Sequence, residues 1–180
     1  MTSTVTLHDK KFGLYRSAAA IAEAVKEVAG RLNADYATRR PLLVAVLNGS
    51  FIFAADLVRL LTLEGVEISF VKLASYEGTT STGAVSQLVG LREEVRGRHV
   101  VVIEDIVDTG HTAAGLIRTL EGQGAASVEV ACLLLKPAAV QVELTVRYAG
   151  LEIPNDFVVG YGLDYDGHGR HLPDLYQAVG

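Results

Sequence analysis

The strongest constraint on the fold is a set of short apolar runs that lack polar alternation: Leu42–Leu47, His99–Ile103 and Val128–Leu135. A strand with one wet face alternates polar and apolar residues, whereas one covered on both faces does not. Helical patterns separate these runs. In Ser17–Arg39, the residues Ile21, Ala24, Val25, Val28, Ala29 and Leu32 recur at three- and four-residue steps, which predicts an amphipathic helix. Ser17 can cap its start, and Arg39-Arg40-Pro41 closes it because proline disfavours a helical predecessor. Further helices are predicted over Phe51–Leu61 and Thr112–Glu121, and a further strand over Val66–Ala74. Strands alternating with helices predict the α/β class: a parallel sheet flanked by helices, with ligands at the carboxyl ends of its strands.

The rest is less regular. Residues 79–86 hold five Ser/Thr, and Ser75–Ser86 reads as an exposed, mobile loop. Val140–Tyr148 is open to a strand reading, Phe157–Tyr161 is a short strand, and the polar tail from Asp164 reads as irregular. With 180 residues, 49% hydrophobic and 21% charged, the chain is expected to fold as one domain. Its net charge of −5 gives no global basic field for a nucleic acid. The single cysteine, Cys132, sits in an apolar run and excludes a disulfide scaffold. Met1–Lys11 shows no basic segment followed by an apolar core, and no run reaches membrane-spanning length, so the chain reads as cytoplasmic with no membrane partner.

The chemistry concentrates in Ile103-Glu104-Asp105-Ile106-Val107-Asp108-Thr109-Gly110-His111-Thr112. Glu104, Asp105 and Asp108 lie at the carboxyl end of a buried strand, and Thr-Gly-His-Thr opens the next helix. A helix amino end beside glycine and hydroxyls offers free N–H groups and a positive dipole to a phosphate. Clustered carboxylates at such a turn would repel the ligand unless they bind sugar hydroxyls or act with a cation such as Mg²⁺. Together these describe a sugar-phosphate site. The plainer reading is that Asp108 or Thr109 only caps the helix, but capping needs one side chain and the run supplies three acids. No GxxxxGK[ST] is present, and the Gly122-Gln123-Gly124 pair fails GxGxxG, follows a helix and reads as a helix stop.

This run resembles the phosphoribosyl-diphosphate signature of type I phosphoribosyltransferases. The further segments Leu47–Leu57, Ala74-Ser75-Tyr76, Leu135-Lys136-Pro137 and Ile153–Tyr165 resemble its hypoxanthine-guanine branch, in the same order. The resemblance implies a phosphoribosyltransferase core at about residues 40–140 and a small hood formed by chain-terminal segments, the N-terminal one and about 150–180. It implies an Mg²⁺-dependent purine salvage transferase that joins a 6-oxopurine, hypoxanthine or guanine, to 5-phosphoribosyl 1-diphosphate with release of pyrophosphate through an oxocarbenium-like transition state. The other readings kept open are a xanthine-preferring relative and a nucleotide-sensing regulatory protein of the same fold.

Residue roles follow from the resemblance. Asp108 is the implied general acid/base at purine N7. Glu104 and Asp105 hold the ribose hydroxyls, and Asp108, Thr109, Gly110, His111 and Thr112 wrap the 5′-phosphate. Lys136 donates to the 6-oxo oxygen, Phe157 stacks on the base, and the Val158 backbone pairs with its edge. Asn48, Gly49 and Arg170 face pyrophosphate, with a cis peptide expected at Asn48–Gly49. Glu104, Asp105 and Asp164 are the implied Mg²⁺ residues, and Ser75-Tyr76 begins a lid over the reacting centre. The family also implies a homodimer or homotetramer.

Overall fold

The computed structural model describes residues 4–74 and 87–179. The strands are β1 (Thr4–Leu7), β2 (Lys10–Arg16), β3 (Leu42–Leu47), β4 (Glu67–Ala74), β5 (Gln87–Val89), β6 (His99–Val107), β7 (Ser127–Leu135), β8 (Tyr148–Glu152), β9 (Val158–Val159) and β10 (Leu175–Val179); the helices are α1 (Ala18–Asp35), α2 (Phe51–Leu60) and α3 (His111–Gly122). They form two sheets. The larger has the order β5-β4-β3-β6-β7-β8 and the smaller β1-β2-β10-β9.

In the larger sheet, β4, β3, β6, β7 and β8 run parallel, and β5 pairs antiparallel with β4 at one edge. Both faces are covered, which explains the missing alternation. Leu43, Ala45, Val101, Ile103 and Leu133 pack with Ile21, Val25, Val28 and Leu32 of α1 and with Phe53 and Leu57 of α2. Leu42, Val44, Val100, Val102 and Val130 face the other way, toward Ala113, Leu116 and Leu120 of α3. Each fully buried leucine of this kind contributes about 2 kcal/mol.

Local signals set the helix ends. Ser17 caps α1, its Oγ accepting from Ala20 N at 3.3 Å. The helix stops at Asp35, short of the expected Arg39, because Tyr36 leaves helical geometry as its C-cap and is buried against Tyr148 and His99. Past α3, Gly124 adopts a left-handed φ of 88° and its N–H donates to Glu121 O at 2.8 Å, a glycine stop as read from the sequence.

Two expectations need correction. Val140–Tyr148 is not a strand: Pro137–Ala139 forms a 3-10 turn, and the strand β8 begins only at Tyr148. The edge of β7 is taken by β8, from Ala131↔Tyr148 to Leu135↔Glu152, so Val140, Leu144 and Val146 pack singly against the α3-side core instead. The tail beyond Asp164 is not irregular throughout either. Its last described residues form β10, held between β2 and β9, and Phe12, Val159 and Tyr176 make a small core of their own beneath this second sheet.

Strand order positions the site. From β3 the chain moves to β4 on one side, and later through β6 and β7 to the other side. The loops leaving β3 and β6 therefore diverge and open a crevice at the carboxyl ends, the usual place for a ligand in an open α/β sheet.

Candidate active site

The run after β6 builds the floor of this crevice. Gly110 is the residue before α3, at φ 84°, and no side chain caps the helix. The capping reading of Asp108 or Thr109 is thereby set aside, and the first N–H groups of α3 face the crevice without intrahelical partners. A cavity of about 90 Å³ lies against this end, lined by Glu104, Val107, Asp108, Thr109, Gly110 and Thr112. His111 is exposed, its Nδ1 3.2 Å from Thr109 Oγ1.

Register brings Asp108 and Lys136 together. Val107 pairs with Leu135 across β6 and β7, Lys136 N donates to Val107 O at 3.0 Å, and Lys136 Nζ donates to Asp108 Oδ2 at 2.7 Å. The lysine is buried, whereas the Asp108 side chain remains 46% exposed. Asp108 therefore keeps one face toward the crevice while its other side holds an ammonium group.

Glu104 is buried, and its Oε1 has no hydrogen-bond partner. Burial, with the Asp105 charge next to it, pushes its carboxyl well above the usual range. Burial also raises Asp105; the Ile106 N–H and the Arg170 charge oppose that shift and Asp164 adds to it. Asp105, Asp164 and Arg170 thus share one electrostatic neighbourhood. Asp105 Oδ1 accepts from Ile106 N at 2.8 Å, and its carboxylate presses on Gly49, where any side chain would overlap it. Arg170 Nη2 lies 2.7 Å from Asp164 Oδ1, and Asp164 Oδ2 accepts from Gly167 N at 2.7 Å.

The Asn48–Ser50 turn leaves β3. The cis bond sits one position earlier than expected, at Leu47–Asn48. Beyond it, the Asn48 carbonyl accepts from Phe51 N at 3.4 Å to begin the turn into α2, and Ser50 Oγ donates to Val46 O at 2.7 Å.

Phe157 stands 47% exposed just before β9, the edge strand of the smaller sheet. Its ring lies 6.1 Å from that of Phe12 and 5.8 Å, edge-on, from that of Tyr165. Lys10 Nζ sits 4.6 Å from the Tyr165 ring and 5.7 Å from the Phe157 ring. Val158 follows in β9, opposite Gln177. The segment leading there leaves from beside Lys136, since Ile153 N donates to Leu135 O at 2.8 Å.

The structure thus gathers Glu104, Asp105, Asp108, Thr109, Gly110, Thr112 and Lys136 at the carboxyl ends of β6 and β7 and the start of α3, with Gly49, Asp164 and Arg170 next to Asp105. It does not form a ready cage: among the described residues, no three His, Cys, Asp or Glu side chains are arranged to hold a metal by themselves. Ser75 and Tyr76 lie outside the described residues. Sequence reasoning missed Tyr161, Gly162 and Asp56 as neighbours of the site, although the Gly160-Tyr161-Gly162 spacing signalled an unusual backbone.

Comparison with known proteins agrees with this geometry. The phosphoribosyl transferase domain model matches residues 15–166. The hypoxanthine-guanine phosphoribosyltransferase of Streptococcus pneumoniae is 42% identical over 154 residues, 85% of each chain. The crystal structure of a hypoxanthine-guanine phosphoribosyltransferase from Bacillus anthracis superposes with a TM-score of 0.82 at 34% identity, covering 92% of this chain and 96% of that one. A hypoxanthine phosphoribosyltransferase from Trypanosoma cruzi, in a ternary substrates complex, gives a TM-score of 0.83 at 35% identity over 92% and 94%. The chain belongs to the phosphoribosyltransferase family, and within it to the hypoxanthine-guanine branch.

Proposed function

We propose that the chain transfers the phosphoribosyl group of 5-phosphoribosyl 1-diphosphate to hypoxanthine or guanine, giving the nucleoside 5′-monophosphate and pyrophosphate. The observation that carries this reading is the Lys136–Asp108 pair, 2.7 Å apart beside the uncapped start of α3. In this reading the pair supplies a donor for a carbonyl and an acceptor for a ring proton beside the phosphate cradle.

The amino end of α3, with Thr109, Gly110, His111 and Thr112, receives the 5′-phosphate. Glu104 and Asp105 accept from the ribose hydroxyls. Asp108 exchanges a proton with purine N7 as N9 bonds to the anomeric carbon and the bond to pyrophosphate breaks. The acids beneath the ring stabilise the positive charge that develops there. Lys136 donates to the 6-oxo oxygen. Adenine presents a donor at that position, which would face the ammonium's own donor, so it is rejected. Exposed Phe157 offers a stacking face, and the Val158 backbone meets the edge of the base. Asn48 and Gly49 face pyrophosphate with backbone groups, and Arg170 supplies positive charge.

The donor set fits Mg²⁺. Glu104 Oε1 is a buried, unpartnered carboxylate oxygen beside Asp105, with Asp164 in the same neighbourhood. One or two carboxylates suffice for an ion that takes its other ligands from substrate phosphates and water. Bound there, Mg²⁺ would offset diphosphate charge and improve the leaving group.

Among the described residues no helix is long and apolar enough to cross a membrane; we place the reaction in the cytoplasm. We also propose a homodimer or homotetramer that uses the exposed Phe51 and Leu60 of α2. The test of function is nucleotide formation from each base under saturating Mg²⁺. Product from hypoxanthine or guanine but not adenine is the expected result; folded protein inert toward both overturns the reading.

A further inference from the structure

The pyrophosphate side of the crevice is assembled from two segments far apart in sequence, the Asn48–Ser50 turn and the Gly162–Arg170 run. Their backbones come together at Gly162, where a side chain would overlap the Gly49 carbonyl oxygen. Gly162 is also the hinge of the arginine arm. Its N–H donates to Arg170 O at 2.9 Å, and its carbonyl accepts from Arg170 Nη1 at 2.7 Å. Whatever holds Gly162 in place therefore sets where both the Gly49 loop and the Arg170 guanidinium stand.

The residue before it, Tyr161, does this through a contact that the transfer chemistry does not use. Its hydroxyl donates to Asp56 Oδ2 at 2.7 Å, and Asp56 lies on α2, the helix that grows directly out of the Asn48–Ser50 turn. Tyr161 has φ 47° between Gly160 at 101° and Gly162 at 102°, a backbone that side-chain-bearing residues adopt infrequently. Burial and the Asp56 carboxylate push the phenol far above its ordinary range, so the hydroxyl stays a donor at every working pH. The Tyr161 N–H also donates to Leu172 O at 2.8 Å, and a cavity of about 310 Å³ opens beside the phenol–carboxylate bond, walled by Ala22, Ile52, Asp56, Tyr161, Leu172 and Pro173, so on that side the bond has no packed neighbour to replace it.

We infer that Asp56 and Tyr161 are a positioning pair that fixes the Arg170 arm against the Gly49 loop and so sets the grip on the diphosphate. The inference rests on the reading of Asn48, Gly49 and Arg170 as the pyrophosphate site. Without the bond the segment gains freedom toward the adjoining cavity, and the diphosphate end loosens while the purine end, built on Lys136 and Phe157, does not.

The test uses the full chain as wild type, Tyr161→Phe, Asp56→Asn and the double variant. Steady-state kinetics in both directions are combined with calorimetric binding of 5-phosphoribosyl 1-diphosphate and of pyrophosphate, each with Mg²⁺. Tyr161→Phe is expected to weaken both diphosphate ligands about tenfold, the loss of one hydrogen bond to a charged group, while KM for the purine stays within about twofold. Asp56→Asn keeps an acceptor and is expected to show a smaller loss of the same kind. It also tests the pair should Tyr161→Phe fail to fold. The double variant should be no worse than Tyr161→Phe, since both remove one interaction. Unchanged diphosphate affinity, or equal losses for purine and diphosphate, overturns the inference. If the wild type binds diphosphates but makes no nucleotide, the function reading fails, and the binding series still decides on the pair.

Discussion

Lys136 Nζ donates to Asp108 Oδ2 at 2.7 Å across the ends of two adjacent parallel strands. In the proposed roles, the ammonium that recognises the base holds the carboxylate that takes its proton, and a 6-oxopurine would engage both partners of one ion pair. Asp108→Asn is expected to keep the geometry but remove the proton acceptor, lowering kcat by about two orders of magnitude or more. Binding of the ribose diphosphate should stay within about threefold by calorimetry. Unchanged turnover would show that another group takes the proton.

Lys136→Ala removes the donor and leaves Asp108 without its partner. The kcat/KM for hypoxanthine and guanine should fall about a hundredfold. The proposed reading draws the discrimination against adenine from the same ammonium, so the ratio of 6-oxopurine to adenine rates should narrow. A competition assay across the bases reads both effects, and an intact ratio in the variant would place selectivity elsewhere.

Glu104→Gln tests the buried acid through stability. The Glu104 carboxyl is raised well above its ordinary 4.5 by burial and by Asp105, so it is protonated when folded at pH values where the unfolded chain ionises it. Its contribution to stability is intact below that ordinary value and is lost as pH rises through the raised one. The neutral glutamine escapes this loss. In urea titrations the variant is expected to gain on the wild type as pH rises from about 5 to 8, while its affinity for ribose diphosphate with Mg²⁺ falls. A stability difference independent of pH would contradict the assignment.

Gly49→Ala places a methyl group where the Asp105 carboxylate lies. Either the turn, which faces pyrophosphate in the proposed reading, or Asp105, which holds the ribose hydroxyls in it, must move. The expected result is a rise of about tenfold or more in KM for ribose diphosphate, from a displacement too small to unfold the sheet. Thermal unfolding within a few degrees of wild type, about 1 kcal/mol or less, would separate this effect from loss of fold.

The central sheet and the Glu104–Thr112 run were legible in the sequence because their causes are local. Unbroken apolar runs mark strands covered twice, and three acids before Thr-Gly-His-Thr exceed what a helix start needs. Lys136 was legible as a residue at a strand end, but its pairing with Asp108 depends on the β6–β7 register, which no local pattern encodes. Val140–Tyr148 misled because its apolar residues fall at every second position, although the β7 edge they would need is taken by Tyr148–Glu152. Leu175–Val179 was hidden for the opposite reason: its ladder partners in β2 and β9 are distant in sequence. A cis bond at Leu47–Asn48 leaves no mark in side-chain pattern at all.

That placement of β10 between β2 and β9 has a consequence for biosynthesis. A chain leaving the ribosome can complete the helix-covered sheet, with the proposed sugar-phosphate turn, while the smaller sheet still lacks its strand between β2 and β9. In the proposed roles the ribose-phosphate turn and the selecting Lys136 would then stand in place before β9, beside Phe157, gains its ladder partner, so a firm stacking face for the base would follow the means of choosing it.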